Sequence, residues 1–169
     1  MPKAVLIGPP GAGKSSVGRQ LAKILQCAIL DTDSEVEKIS GKKIAEIFTE
    51  DGEPAFRLIE KKVVLEALKT APGVVALGGG SVLDEDVAAY LRSGNIPVAY
   101  LEVSISQAAP RVGFNKERPL LALNPRQQWM TLMEKRRPIY ESLATIRITT
   151  DNSKPADVAQ EIATAIGIS

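Results

Sequence analysis

Five short apolar runs rich in β-branched residues alternate with stretches whose apolar positions recur every three or four residues. The runs cover 3–7, 28–30, 74–77, 98–101 and 146–149, and each reads as a buried strand. Val17, Leu21, Ile24 and Leu25 fall on one helical stripe. Phe56, Ile59, Val63 and Ala67 do the same between about 54 and 69, as do Val158, Ile162 and Ile166 near the end. Pro155 suits the first turn of that last helix. Ser104 with Gln107 reads as a capping box, and Asn124-Pro125 as a cap and first helical residue. Strands separated by helices predict βαβ units and a parallel sheet covered on both faces, a three-layer α/β domain. Two stretches fit that rhythm less well. Residues 34–60 place small helices between the second and third strands. Residues 112–124 have a glycine, a proline and scattered basic charge without a period, and read as a mobile lid over phosphates.

A chain of 169 residues is expected to form one domain with a proper core. The net charge of +1 gives no basic field of the kind nucleic-acid binding needs. No apolar run approaches membrane-spanning length, and the N-terminus lacks a signal-peptide pattern, so a cytoplasmic protein is expected. Cys27 is the single cysteine, which excludes an internal disulfide and a cysteine metal cluster; among apolar neighbours it reads as a small buried hydrophobe. The chain has no histidine. Ser–His hydrolysis, His-ligated zinc and a His general base are thereby removed together.

The first strand runs into Gly8-Pro-Pro-Gly-Ala-Gly-Lys14-Ser15 and then into a helix, the setting in which G-x-x-x-x-G-K-[ST] has physical meaning. Backbone N–H groups and the helix dipole cradle a polyphosphate there; Lys14 reaches the β- and γ-phosphates and the Ser15 hydroxyl ligates Mg²⁺. The second strand ends in Leu30-Asp31-Thr32-Asp33. In an open parallel sheet this lies beside the phosphate loop, at the carboxyl ends of the strands. Alternation along the strand end is expected to turn Asp31 and Asp33 in different directions, Asp31 holding Mg²⁺ through water and Asp33 facing the acceptor. Helix capping is the competing role for both. The third run ends in Gly78-Gly79-Gly80 without an aspartate, so Asp31 stands in for the missing carboxylate and the glycines leave bare backbone as a crevice floor. Arg57 pairs with Glu60 at i,i+3, by itself a solvated surface pair. Arg136 falls on the stripe Trp129, Leu132, Met133, Tyr140, which puts a guanidinium on an inward face. A ligand carboxylate or an internal Arg–Asp pair would satisfy it. Arg137 is expected in solvent, and Pro138 is expected to kink or restart the helix.

The phosphate-loop motif, Leu30-Asp31-Thr32-Asp33, Phe56-Arg57 with Glu60, the triple glycine, Arg118-Pro119-Leu120-Leu121 and Arg136-x-Pro138-x-Tyr140 together resemble the shikimate kinase family, in that family's order and over nearly the whole chain. The resemblance implies a P-loop, nucleoside-monophosphate-kinase-like fold with a five-stranded parallel sheet in order 2-3-1-4-5. It implies transfer of the γ-phosphoryl of ATP to the 3-hydroxyl of shikimate, in chorismate and aromatic amino-acid biosynthesis, by an enzyme that is a monomer. Gly11, Ala12, Gly13, Lys14, Ser15 and Ser16 would hold the ATP phosphates. Arg118 would reach ATP from the lid, and Arg111 and Pro155 would flank adenine. Asp33, Arg57, Gly79 and Arg136 would bind shikimate, with Gly80 in the same floor. Residues 33–61 would form a substrate-binding insertion. Many relatives carry arginine or glutamine where this chain has Ser153, which leaves Arg111 and Pro155 a larger share of adenine binding. Phosphate-loop features alone also fit another small-metabolite kinase, such as gluconate kinase, or a nucleotide-dependent switch. Paired arginines with a triple glycine favour a carboxylated cyclic polyol as acceptor.

Overall fold

The first strand, β1 (Ala4–Ile7), has no residue more than 1% exposed. That is the burial expected at the centre of a parallel sheet, where neighbours pair along both edges and helices cover both faces. The computed structural model describes residues 1–113 and 125–168. In chain order the further elements are α1 (Lys14–Ile24), β2 (Ile29–Asp31), α2 (Thr32–Ser40), α3 (Ile44–Glu50), α4 (Glu53–Thr70) and β3 (Val74–Ala76). A single 3-10 turn (Ser81–Leu83) follows, then α5 (Glu85–Ser93), β4 (Val98–Glu102), α6 (Ile105–Gly113), α7 (Pro125–Leu143), β5 (Ile146–Thr149) and α8 (Pro155–Ala165). The strands form one parallel sheet in order β2-β3-β1-β4-β5, as the resemblance implies.

Register decides what this order brings together. Leu6 of β1 and Asp31 of β2 both pair with Ala76 of β3, so these three residues form one row across the sheet. Strands in such a sheet are about 4.8 Å apart. Two residues further along each chain stand Gly8, Gly78 and Asp33, so the phosphate loop, the glycine run and the second aspartate emerge side by side.

The helices bury the stripes their periodicity predicts. Val17 and Leu21 of α1 face Val158 and Ile162 of α8 within the main core, and these two helices pack on each other. In α4 the buried stripe is Phe56, Glu60, Val63, Val64, Ala67 and Leu68, with the expected Ile59 half-buried against a separate cluster. Val36, Ile44, Ile47, Phe56 and Val63 make a second, smaller core joining α2, α3 and the first half of α4; there the Phe48 and Phe56 rings lie 4.9 Å apart.

Three local expectations are corrected. Pro138 neither ends nor restarts a helix: α7 continues through it to Leu143, held by buried Trp129, Met133, Arg136 and Tyr140 on one face. Ser104 and Gln107 do not form a capping box. The Ser104 N–H donates to Asp151 Oδ1 at 3.0 Å, while the Gln107 amide donates to Asn152 Oδ1 (2.7 Å) and accepts from the Asn152 N–H (3.1 Å). A nearby loop with its own carboxylate outcompetes the local partner. The second strand extends to Asp31, and the chain turns helical at Thr32. The first two residues of the expected lid belong to α6; the remainder, including Arg118 and Asn124, lies outside the described residues.

Gly73 sits where the β2–β3 pair begins, and a Cβ there would stand 2.1 Å from the Ala28 carbonyl oxygen. Backbone cannot yield as a side-chain tip does. Gly73→Ala is expected to lose about 1–3 kcal/mol of stability, read as a lower urea midpoint at unchanged m-value. An unchanged midpoint would mean that the edge strand slides without cost.

Candidate active site

Gly13 precedes α1 in the left-handed region (φ 89°) and supplies no side-chain cap, so the first N–H groups of that helix are left for a ligand. Gly11 (φ 87°) also lies tight against Ala108, whose backbone oxygen would be 3.0 Å from an added Cβ. Four successive carbonyls of the loop each accept a side-chain donor. Lys14 Nζ donates to the oxygens of Gly8 (2.7 Å) and Pro9 (3.0 Å). The Trp129 indole donates to that of Pro10 (2.9 Å) and Arg111 Nη1 to that of Gly11 (2.7 Å). Beside the loop is a cavity of about 240 Å³ whose lining includes Lys14, Ser15, Ser16, Asp31, Asp33 and Arg111.

The Ser15 hydroxyl donates a short hydrogen bond to Asp31 Oδ2. The other carboxylate oxygen, Oδ1, accepts from the backbone N–H of Asp33 (3.0 Å) and Ser34 (3.3 Å). Asp31 is therefore a helix cap, the competing role expected for it, and also a partner of the phosphate-loop serine. The separation from Asp33 has a different cause from the one expected. Residues i and i+2 of a strand share a face; Asp33 departs because it already belongs to α2. Thr32, fully buried, accepts from the Gly78 N–H at 3.1 Å and ties the start of α2 to the glycine run.

Close approach explains the three glycines. A Cβ on Gly78 would stand 2.6 Å from Asp33 Oδ1 and 3.1 Å from Glu60 Oε2. On Gly79 it would be 3.2 Å from both Arg136 Nη1 and Pro10 Cδ. On Gly80 it would meet Arg57 at 2.6 and 2.7 Å and Arg136 Nη2 at 3.0 Å. Two guanidiniums and two carboxylates thus occupy the space where side chains would begin.

The Arg57–Glu60 pair is not a solvated surface pair. Its N–O distance is 2.7 Å, and the Glu60 side chain is only 5% exposed. The second Glu60 oxygen accepts from the Ser81 hydroxyl at 3.1 Å. Burial pushes the Glu60 carboxyl above the ordinary glutamate range; Arg57 pulls it back, Asp33 adds to the rise and Ser81 opposes it. Arg136 is 6% exposed and faces the same floor. Asp33 Oδ1 and Arg136 Nε are buried atoms without a hydrogen bond among the described residues, though both side chains make other interactions. Tyr140 donates its hydroxyl to the Gly79 carbonyl at 2.6 Å.

Glu60, Ser81 and the two anchoring aromatics were not singled out as site residues from sequence. Glu60 carried the same signal as Arg136, a charge on an apolar stripe; the rest are contacts between distant segments. Pro155 begins α8 and is not among the described residues lining the cavity, whereas Arg111 is. Ser153 turns its hydroxyl to the Asp151 carbonyl at 3.2 Å. Among the described residues no group of three or more Asp, Glu, His or Cys could cage a metal, and no helix is long and apolar enough to cross a membrane.

A phosphate loop, a pair of aspartates and two convergent guanidiniums at the carboxyl end of this sheet define a P-loop kinase. The shikimate kinase family model matches residues 10–167, and the chain belongs to that family. Curated shikimate kinases from Rhodococcus jostii and Thermobifida fusca are 50% and 52% identical over 162 residues, covering 95% and 96% of this chain and 95% and 93% of theirs. The solved structure of shikimate kinase from Acinetobacter baumannii in complex with shikimate is 36% identical, with a TM-score of 0.93 over 98% of this chain and 93% of that one. A gluconokinase from Sinorhizobium meliloti, 20% identical over 97% of this chain and 90% of its own with a TM-score of 0.61, shares the fold alone.

Two outcomes follow from the glycine floor. Gly80→Ala is expected to raise the acceptor KM at least tenfold, leaving the ATP KM within about twofold, because its Cβ displaces both guanidiniums and not the loop. Equal changes in the two KM values would show that the floor serves both ligands. For Glu60 the folded pKa is raised, so the folded chain takes up its proton before the unfolded chain does. The stability of the parent relative to Glu60→Gln should therefore rise as pH falls from neutral toward about 4.3, the ordinary glutamate value. A pH-independent difference between their urea curves would refute that shift.

Proposed function

We propose that this cleft transfers the γ-phosphoryl of ATP to the 3-hydroxyl of shikimate, giving shikimate 3-phosphate and ADP, the step that places the enzyme in chorismate and aromatic amino-acid biosynthesis. The convergence of Arg57 and Arg136 on Gly80, beside Asp33 and one strand from the phosphate loop, carries this reading. Two guanidiniums within 3.0 Å of one point repel each other unless an anion joins them. Glu60 supplies part of that charge, and a substrate carboxylate above Gly79 and Gly80 supplies the rest through charge-assisted hydrogen bonds.

Anchoring the carboxylate at one end of the ring sets the reacting hydroxyl at the other, next to Asp33. Asp33 accepts the proton of that hydroxyl as the phosphoryl group is transferred. The transition state is loose, so the residues act by position and charge. Lys14 leaves the Gly8 and Pro9 carbonyls for the β- and γ-phosphates, the amides of Gly11, Ala12, Gly13, Ser15 and Ser16 hold them, and Arg111 with Pro155 brackets adenine. Arg118 is assigned to the transferring phosphate by family resemblance.

The Ser15 hydroxyl and Asp31 carboxylate are adjacent, all-oxygen donors, which suits Mg²⁺. That ion keeps several waters and takes phosphate oxygens as further ligands, so Asp31 would hold it through water. When bound, Mg²⁺ supplies charge neutralisation at the β- and γ-phosphates. The chain acts on small molecules as a cytoplasmic monomer, without nucleic acid or membrane.

A coupled ADP-release assay with shikimate and gluconate in parallel tests the acceptor: release is expected with shikimate and at background with gluconate. Comparable turnover of gluconate would overturn the assignment. Asp33→Asn is expected to lower kcat by about 10²–10⁴-fold, and turnover at the parental rate would remove Asp33 as the base.

A further inference from the structure

The four occupied carbonyls of the phosphate loop differ in what happens to their donors when nucleotide binds. On the reading above, which this inference rests on, Lys14 moves to phosphate and Arg111 to adenine, so the oxygens of Gly8, Pro9 and Gly11 lose the side-chain donors they have, Pro9 keeping only the Ala12 N–H. Trp129 has no such second task. Its ring is 3% exposed, inside the main core, and its N–H points at the Pro10 oxygen.

Pro10 is also where the two halves of the cleft meet. Its Cδ lies against Gly79, close enough that an added Cβ there would be 3.2 Å away. The Gly79 carbonyl is held in turn by the Tyr140 hydroxyl at 2.6 Å. Trp129 and Tyr140 are on the same face of α7, eleven positions or about 16 Å apart along the axis, with Arg136 between them. One rigid helix thus grips the crest of the phosphate loop at one point and the acceptor floor at another.

We propose that Trp129 is a positioning residue: through Pro10 it holds the phosphate loop in register with the glycine floor while Lys14 and Arg111 exchange partners, so that the γ-phosphate stays in line with the acceptor hydroxyl. A loop that slipped relative to the floor would still bind each ligand. It would transfer less efficiently and lose more phosphate to water.

Two measurements on the full chain test this. Trp129 is the single tryptophan, so the intrinsic emission of the parent reports on this indole alone. The emission is expected to keep its buried, blue-shifted maximum as ADP, Mg²⁺ and shikimate reach saturation. A shift to the maximum of a water-exposed indole would overturn the proposal, whatever any variant does. In Trp129→Phe, which keeps an aromatic ring and removes the donor, kcat is expected to fall about tenfold or more, with each KM within about threefold. ADP released per shikimate 3-phosphate formed should rise above the parental ratio. Parental kcat with unchanged coupling would overturn the proposal, as would a loss confined to KM or one accompanied by unchanged coupling. The parent measured alongside separates the two readings: no shikimate-dependent turnover by the parent defeats the functional assignment, while an active parent with an unaltered variant defeats only the role of Trp129.

Discussion

The site depends on the absence of three Cβ atoms. Gly78, Gly79 and Gly80 leave room for Asp33, Glu60, Arg57 and Arg136 to crowd one stretch of backbone, with distances of 2.6–3.2 Å from where side chains would start. Four ionisable groups gathered in a poorly solvated place are unstable unless acidic and basic ones alternate and the remaining polar atoms find partners. Here Arg57 pairs with Glu60, Ser81 takes the second oxygen of Glu60, and Thr32 and Tyr140 hold the glycine backbone itself. On the proposed function, a small molecule bearing a carboxylate would enter a space whose charges are already arranged. Little of its binding energy is then spent on reorganisation.

Sheet order sets that local chemistry beside the phosphate loop. Because β3 lies between β2 and β1, the glycine run has the aspartates on one side and the phosphate loop on the other. No loop has to reach across the molecule to bring acceptor and donor together; two neighbouring strand spacings do it. The helices then act at different distances. α2 begins at the cleft and carries Asp33, α4 brings Arg57 and Glu60 to the glycine run, and α7 reaches both the glycine run and the phosphate loop. The second apolar cluster gives α2, α3 and α4 a core of their own, so the acceptor side is braced separately from the sheet.

What was legible in the sequence was mostly what short-range pattern encodes. The strands, the phosphate loop and the inward stripe carrying Trp129, Arg136 and Tyr140 all follow from spacing within a few residues. The strand order came from the family resemblance. Less legible were features decided by partners far along the chain. Gln107 looks like a capping residue until Asn152, 45 positions later, offers its amide. Arg57 and Glu60 look like surface until Ser81 and the glycine floor close over the carboxylate. Asp31 and Asp33 looked like two positions of one strand, and the change to helix at Thr32 gave them different neighbours. Pro138 does not restart the helix, because a long helix already fastened on both sides of it carries the chain through. Glu60 was legible in the same terms as Arg136, a charge standing on the apolar stripe of its helix.

Burial of Glu60 bears on how firmly the acceptor pocket is tuned. An exposed carboxylate beside Arg57 would hold it weakly, because water screens the pair and both side chains keep their rotamer freedom. A buried one holds it firmly and carries a penalty, visible as the raised pKa of Glu60. The structure limits that penalty by giving each oxygen a separate donor, the guanidinium on one side and the Ser81 hydroxyl on the other. The same arrangement fixes which way the Arg57 fork faces, since Glu60 engages Nη1 while Glu53 contacts Nη2 at 3.4 Å from the exposed side. On the proposed function, an arginine clamped in this way would meet the planar carboxylate of the acceptor at one position and angle. Shape at the acceptor site is therefore selected by a charge buried beneath it and absent from the sequence motif that announces the nucleotide.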